Sequence, residues 1–370
     1  MVRVHAIKGK KDLHDFIMLP WKVYHGDRFW VPPLVREQKD LFNPQKNPFY
    51  QHARVELFLA RENGDTVGRI AAIVNENHNR FHNEKTGFFG FFEALPDYSI
   101  AERLLTVARK WLKQRGMEVM RGPMNFSTNE ECGLLIEGFD SSPLIMMTYN
   151  PRYYKGFMER YGLHKARDLF AFWIDSSLRP SEKVRRIFKK MSERQGVRVR
   201  HLNMKDFDQE VERIKAIYNS AWSGNWGFVP MTDEEFDHLA KLLKRIVVPE
   251  LVLIAEVDGE PVAFSMALPD YNQVLKRLNG RLGPVGVIKL LWFSRKIKQA
   301  RLLTLGIKEG YRKRGIDSLL YMRTLLTARE KGYVGGEVSW TLEDNLLINR
   351  AIEMMGGKLY KKYRIYEIEI

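Results

Sequence analysis

Between residues 310 and 317 the chain reads Gly310-Tyr311-Arg312-Lys313-Arg314-Gly315-Ile316-Asp317: three consecutive cations, then a glycine where a helix should begin. Such a turn supports the binding of phosphate. The first N–H groups of a helix have no intrahelical acceptor and carry the positive end of the macrodipole, so they can hold phosphate oxygens. Glycine allows close backbone approach, and the flanking cations add charge. A pyrophosphate-bearing cofactor is the expected ligand.

Other residues offer acid–base chemistry. Glu337 and Glu343 lie near the strand that follows this helix, while Glu130, Glu131 and Asp140 lie far upstream; any of these carboxylates could take an ammonium proton. The polar, turn-rich stretch from Asn125 through Asn129 to Gly133, and the hydroxyls of Tyr149, Tyr153 and Tyr154, form a second candidate region, against the alternative of ordinary loop and helix-cap structure. Around residues 220–228, Trp222, Asn225, Trp226 and Phe228 could line an acyl pocket or simply pack in a core. His78 and His82 have helical i,i+4 spacing without a zinc-binding context and read as surface residues, so no metal site is expected. The single cysteine, Cys132, reads as a packing residue.

The elements that must position these groups fall into two similar runs. In the first, strands at 55–60 and 66–74 flank Asn63-Gly64-Asp65, a third strand covers 87–92, an amphipathic helix covers 100–114, and a strand at 118–121, a helix at 151–160 and a strand at 165–174 follow. In the second, helices at 206–221 and 233–246 precede a hairpin, 251–257 and 261–268, joined by Asp258-Gly259. A strand at 302–307, the basic turn, a helix from 317 to about 331, a strand at 337–340, a helix at 345–355 and a strand at 358–370 complete it. The shared order predicts two tandem α/β (α+β) domains, residues 1–178 and 179–370, joined near 175–195. The first has no cationic glycine loop: Pro96-Asp97-Tyr98-Ser99 would not hold a pyrophosphate.

The chain has 370 residues, 45% of them hydrophobic, and one cysteine; this excludes disordered and disulfide-built classes and points to a reducing compartment. No apolar run is long enough to span a bilayer and residues 1–10 lack a signal-peptide core, so a cytoplasmic location is expected, with contact at the inner face of the membrane as an extension of it. The net charge of +15 suits polyanions in general, although no nucleic-acid motif accompanies it and no specific nucleic acid is expected. From Tyr271 to Lys308 there are nine cations and no acid, interleaved with the apolar run 284–293. That composition fits either a membrane-interface helix within 281–301 or an insertion packed on the body of the protein.

The basic turn and the asparagine-led helix resemble the GCN5-related N-acyltransferases (the GNAT superfamily), whose signature is a strand followed by Arg/Gln-x-x-Gly-x-Gly/Ala at a helix start. Here it reads Arg312-Lys313-Arg314-Gly315-Ile316-Asp317, and Asn345 with Gly356 eleven residues on fits the family's last helix. The passages Gly87-Phe88-Phe89-Gly90-Phe91-Phe92-Glu93, Trp226-Gly227-Phe228-Val229-Pro230 and Ser339 to Asn345 further resemble a subgroup of bacterial GNAT-like proteins akin to lipid-amine acyltransferases, including bacterial ceramide synthases.

The resemblance implies two GNAT domains, each a mixed, mostly antiparallel sheet flanked by helices, with acyl-CoA as co-substrate and an amine as acceptor. It implies that Arg312, Lys313, Arg314, Gly315 and Ile316 hold the pyrophosphate, that a backbone N–H around Leu305-Gly306-Ile307 polarises the thioester carbonyl, and that Asn345 contacts the cofactor. Two positions depart from the pattern: Asp317 replaces Gly or Ala, and Ile352 stands where a tyrosine often protonates the leaving thiolate. An aminoacyl-tRNA-dependent transferase on the same tandem plan, or a catalytically silent protein binding acyl-CoA or anionic surfaces, are the alternatives.

Overall fold

The computed structural model describes the chain except residues 179, 180, 194, 195 and 223, and the side chains of 183, 184, 187, 191 and 192. The expected junction at 175–195, the boundary at 179 and Ser223 therefore fall partly or wholly outside the described residues. The chain divides into two compact units: one of residues 1–169, 274–292 and 361–370, the other of residues 170–273 and 293–360.

In the first unit the strand order is Arg3–Ala6, Ala53–Glu62, Asp65–Asn75, Thr86–Ala94, Val119–Gly122 and residues 361–369 of the C-terminal strand Lys358–Glu369. The hairpin turns at Asn63 (φ 50°) and Gly64 (φ 89°), both left-handed, which is the turn whose twist matches that of paired strands. Helix Tyr98–Lys113 lays Ile100, Ala101, Leu104, Leu105, Ala108, Trp111 and Leu112 into a core built with Ile70, Ala72 and Phe89. Two N-terminal helices, Gly9–Val23 and Val35–Leu41, belong to this unit; neither was expected from the sequence.

In the second unit the order is residues 170–175 of the strand His164–Asp175, then Gly335–Leu342, Gln299–Ile307, Glu260–Pro269, Val252–Val257 and Val197–His201. Its hairpin turns at Asp258 (φ 51°) and Gly259 (φ 85°). Helix Ile316–Glu330 buries Ile316, Leu319 and Leu320 against Leu253, Ala255, Val262 and Ala263.

Each sheet is closed by a strand from the other half of the sequence. In the first unit Tyr366 pairs with Gly122, and Arg364 with Leu134, all antiparallel. In the second, the close approach of the strand at 164–175 is recorded at Gly335, where a Cβ would stand 2.6 Å from Trp173 and 2.9 Å from the Ile174 carbonyl oxygen. Both halves have the expected element order, but the closing strands are exchanged.

Candidate acyl-carrier site

In the second unit the strands Gln299–Ile307 and Gly335–Leu342 pair in parallel only from Gln299 opposite Gly335 to Leu302 opposite Val338. On its other edge Gln299–Ile307 stays paired with Glu260–Pro269 as far as Ile307 opposite Ala263. Residues 303–307, which include Leu305, Gly306 and Ile307, therefore present one edge that no strand covers among the described residues. Of the backbone groups there, the Ile307 carbonyl accepts from Arg312 Nε at 3.4 Å; the rest of the edge is of the kind that an extended amide-bearing ligand could pair with. The Thr304 hydroxyl, at the point of divergence, is buried without a hydrogen-bond partner among the described residues. Such an orphan is a place where a polar ligand group fits.

Gly306 is required by what lies over it. A Cβ would come within 2.3 Å of the Trp222 ring and 3.1 Å of the Ala221 methyl. Trp222 stacks on Tyr218 (4.6 Å between centroids), and Tyr218 contacts Phe228 and Phe236 at 5.8 and 5.9 Å. Trp222 is half-buried and Phe228 buried. Asn225 donates its N–H to the Trp222 carbonyl at 2.8 Å, turning the chain beside this cluster, with Trp226 half-buried next to it.

Beyond Ile307 the chain forms the basic turn. Lys308 pairs with Glu260 at 2.8 Å and the Tyr311 hydroxyl donates to the same carboxylate at 2.9 Å, which fixes the base of the turn. Arg312 donates to the Ala221 carbonyl at 2.6 Å, tying the turn to the end of the helix that carries Trp222. Lys313 has φ 58°, Gly315 has φ 82°, and Arg312, Lys313 and Arg314 are exposed. Gly315 is the N-cap of the helix and supplies no side-chain cap, so the first-turn N–H groups are left to an external acceptor. Asp317 does not cap; it sits half-buried in the first turn, where a carboxylate suits the helix dipole. An uncapped helix start, exposed cations and an open strand edge fit a pyrophosphate joined to an extended amide chain.

The first unit has the same wedge, but filled. Its strands Thr86–Ala94 and Val119–Gly122 pair in parallel only from Thr86 to Phe88. A Cβ on Gly90 would meet the Met124 carbonyl oxygen at 1.7 Å, and the Phe91 N–H donates to Asn125 Oδ1 at 2.8 Å. Backbone and side chain of Met124–Asn125 thus occupy the gap. The corresponding helix is capped by its own residue, since the Asp97 carboxylate accepts from the Ser99 N–H at 2.8 Å. A carboxylate of the chain stands where a phosphate would have to bind.

The other sequence-predicted residues divide between the units. Glu337 is fully buried; Arg301 lies 3.4 Å from it, and it accepts hydrogen bonds from the Ser339 and Tyr360 hydroxyls. That closed network makes it a structural carboxylate of the sheet. Glu343 is half-buried just past the same strand, three residues before the last helix Leu346–Met354. Asn345 is the N-cap of Leu346–Met354, its Oδ1 accepting from the Ile348 N–H at 3.5 Å. Ile352 is fully buried among Phe172, Leu302 and Val338, so packing governs that position.

In the first unit Glu130 accepts from the Phe126 N–H at 2.8 Å, Asn129 donates its N–H to Ser127 Oγ at 3.2 Å, and Glu131 pairs with Asn125 in a short ribbon. Tyr149 donates to Asp27 at 2.9 Å; burial, with that carboxylate, pushes its hydroxyl well above the usual range. Here Glu130, Glu131, Asn125 and Asn129 are brought together, and they build the plug. Cys132 is buried. His78 is buried too, a correction to its surface reading; burial and the neighbouring His82, 4.5 Å away, depress its pKa to about 4. Among the described residues no group of three metal-binding side chains is found.

Sequence reasoning missed Glu93, buried at the end of an apolar strand and accepting from the Tyr24 and Tyr154 hydroxyls at 3.1 and 2.7 Å, with Arg69 at 3.7 Å. Burial pushes its carboxyl up to about 7. A lone acid closing the run Gly87 to Phe92 was the available signal.

A bacterial ceramide synthase from Caulobacter vibrioides is 37% identical to this chain over 371 residues, 98% of this chain and 96% of that protein. Protein YghO of Escherichia coli is 34% identical over 374 residues, 99% of this chain and 95% of that one. This chain belongs to their family. No family model matches it. Among solved structures, a tandem GNAT protein from the clavulanic acid biosynthesis pathway superposes with a TM-score of 0.59 at 11% identity, covering 100% of this chain and 98% of that one. A GCN5-related N-acetyltransferase from Sphaerobacter thermophilus gives 0.53 at 14% identity over 100% and 95%. At those identities the likeness establishes the fold, two tandem GNAT domains.

Proposed function

We propose that this protein is an acyl-CoA-dependent N-acyltransferase whose cofactor site lies in the second unit and whose acceptor is a lipid amine. The observation that carries the reading is the uncapped helix start at Gly315 beside the open strand edge at 303–307, set against the filled equivalent in the first unit. The backbone amides from Gly315 onward, with Arg312, Lys313 and Arg314, would hold the pyrophosphate. The 303–307 edge would pair with the amide groups of the carrier arm and polarise the thioester carbonyl.

The acceptor class rests on the name of the family's ceramide synthase, since a ceramide is a long-chain amino alcohol acylated on nitrogen. In the reaction the amine nitrogen attacks the thioester carbon, the C–S bond breaks, and the thiolate leaves. The amine loses one proton and the thiolate gains one. Glu343, which is half-buried just past the strand Gly335–Leu342, is the proposed proton acceptor. With Ile352 buried and lacking a hydroxyl, the thiolate is protonated by water or by the displaced amine proton.

The test is a product assay. Protein, palmitoyl-CoA and a long-chain amino alcohol should yield equal amounts of free thiol and N-acyl product. Glu343→Gln should lower kcat by ~100-fold or more with unchanged acyl-CoA affinity. Thiol release without amide product would leave only thioester hydrolysis, and equal kcat in the variant would remove Glu343 from the mechanism.

A further inference from the structure

The helix Pro284–Ser294 reads Pro-Val-Gly-Val-Ile-Lys-Leu-Leu-Trp-Phe-Ser and contains no buried residue. Val285 is 66% exposed, Ile288 67%, Leu291 63% and Trp292 54%, with Leu282 and Val287 also exposed. Single exposed hydrophobic residues are ordinary on a protein surface, but a contiguous group of this size on one short element is not. A helix that is apolar all round belongs in a core or in hydrocarbon. Residues 284–292 of the helix belong to the first unit, and none of them is buried.

Its base is fixed. Asn279 accepts from the Trp21 indole N–H at 2.9 Å, and the Gly280 carbonyl accepts from the Val35 N–H at 3.0 Å. Gly280 (φ 78°) passes so close to Trp21 that a Cβ would lie 2.4 Å from the ring. The exposed helix therefore starts from an anchored point.

The charge around it has one sign. Between Tyr271 and Lys308 there is no Asp or Glu. Lys276 donates to the Arg28 carbonyl, Arg301 lies beside Glu337 and Lys308 beside Glu260, so those cations are engaged inside their units. Arg281 and Lys289, in the same unit as the apolar residues, are exposed. Eleven residues extend about 16 Å, half of a ~30 Å hydrocarbon layer, so the helix cannot span it. Among the described residues no helix is long and apolar enough to cross a membrane.

A protein groove receives a helix with one apolar face, and the opposite face stays polar. This helix carries a single charged side chain, Lys289, with exposed apolar residues on either side of it rather than an opposite polar face. Hydrocarbon, which surrounds an inserted element on several sides, matches it, and flanking cations without acids match anionic lipid headgroups. We propose that Pro284–Ser294 docks the protein on an anionic phospholipid surface, the aliphatic residues and Trp292 embedding at the headgroup–acyl boundary with Arg281 and Lys289 on lipid phosphates. No residue of the acyl-CoA site is involved, so the proposal stands or falls separately from that reading.

Co-sedimentation with vesicles of phosphatidylcholine mixed with phosphatidylglycerol tests it. The full chain should bind these vesicles, bind phosphatidylcholine alone far more weakly, and dissociate as salt is raised. Val285→Ser, Ile288→Ser and Leu291→Ser together should weaken binding by ~100-fold or more. Ile288→Asp alone should weaken it by about 10-fold or more, which keeps the test valid should the triple variant fail to fold. Acyl-CoA affinity should be unchanged in both. Wild-type-like sedimentation of the folded Ile288→Asp variant would overturn the proposal. So would a wild-type dimer in sedimentation velocity that Ile288→Asp converts to a monomer without any vesicle binding, because the helix would then seat on a second copy.

Discussion

Gly315→Glu is expected to weaken acyl-CoA binding by at least ~100-fold while the protein stays folded. Gly315 has φ 82° and caps the helix without a side chain, so its neighbours' N–H groups are the donors available to a pyrophosphate. A charged donor–acceptor hydrogen bond contributes ~1.5–3 kcal/mol, and blocking two of them removes ~3 kcal/mol or more, equivalent to ~100-fold in affinity. The glutamate would also add negative charge where phosphate must sit. The backbone strain of a non-glycine residue in the left-handed region costs about 1–2 kcal/mol, too little to unfold a chain of this size. Lys313→Gly is the companion variant. Lys313 already has φ 58°, so glycine keeps the turn and removes only a surface charge, and the loss should be no more than ~10-fold. Calorimetric titration with palmitoyl-CoA, with a melting curve for each variant, separates the two; equal affinity in Gly315→Glu and wild type would remove the turn from the cofactor site.

Residues 1–178 expressed alone are expected not to reach a native fold. Their sheet lacks the closing strand, which comes from the C-terminus: Tyr363, Ile365 and Tyr366 are at most 1% exposed, and Arg364 holds Asp168 through two hydrogen bonds of 2.7 and 2.9 Å. Losing three fully buried side chains of this size costs about 2–5 kcal/mol each. The sum is comparable with the ~5–15 kcal/mol that stabilises a whole domain. Deleting 361–370 from the full chain should have the same effect on the first unit. Near-ultraviolet circular dichroism and urea unfolding of the fragment should show fluctuating packing without a cooperative transition; a cooperative transition near that of the full chain would contradict the exchange of closing strands.

That exchange marks where the sequence stopped being informative. Asn63-Gly64 and Asp258-Gly259 announced both hairpins because a left-handed two-residue turn demands those residue types locally. The apolar spacing in 100–112 announced the helix, found as Tyr98–Lys113, for the same local reason. A strand's alternation, by contrast, says which face is buried and nothing about its partner. The strands at 164–175 and 358–369 were therefore both legible, and their assignment to opposite sheets was not.

The site followed the same division. Arg312 to Gly315 stood out because a run of cations before a glycine at a helix start is a local pattern, whereas nothing in the sequence told of the Trp222 ring over Gly306. Glu337 was legible as an acid and Ser339 lies two residues on, but Arg301 is brought opposite by strand pairing and Tyr360 comes from the C-terminal strand. Asn125, Asn129, Glu130 and Glu131 stood out as a polar loop, and only the fold showed Met124 and Asn125 filling the first unit's wedge. The apolar run at 284–293 was visible, but whether it packs inward depends on packing partners that no local pattern encodes.

Hydrogen exchange of the intact chain, with and without palmitoyl-CoA, reads the proposed backbone donors themselves. Bound acyl-CoA should slow exchange in two stretches, 303–307 and 315–319, and leave 86–94 and 124–132 unchanged. Protection confined to the first unit's wedge, or binding that leaves both stretches of the second unit unprotected, would contradict a cofactor site at the Gly315 turn.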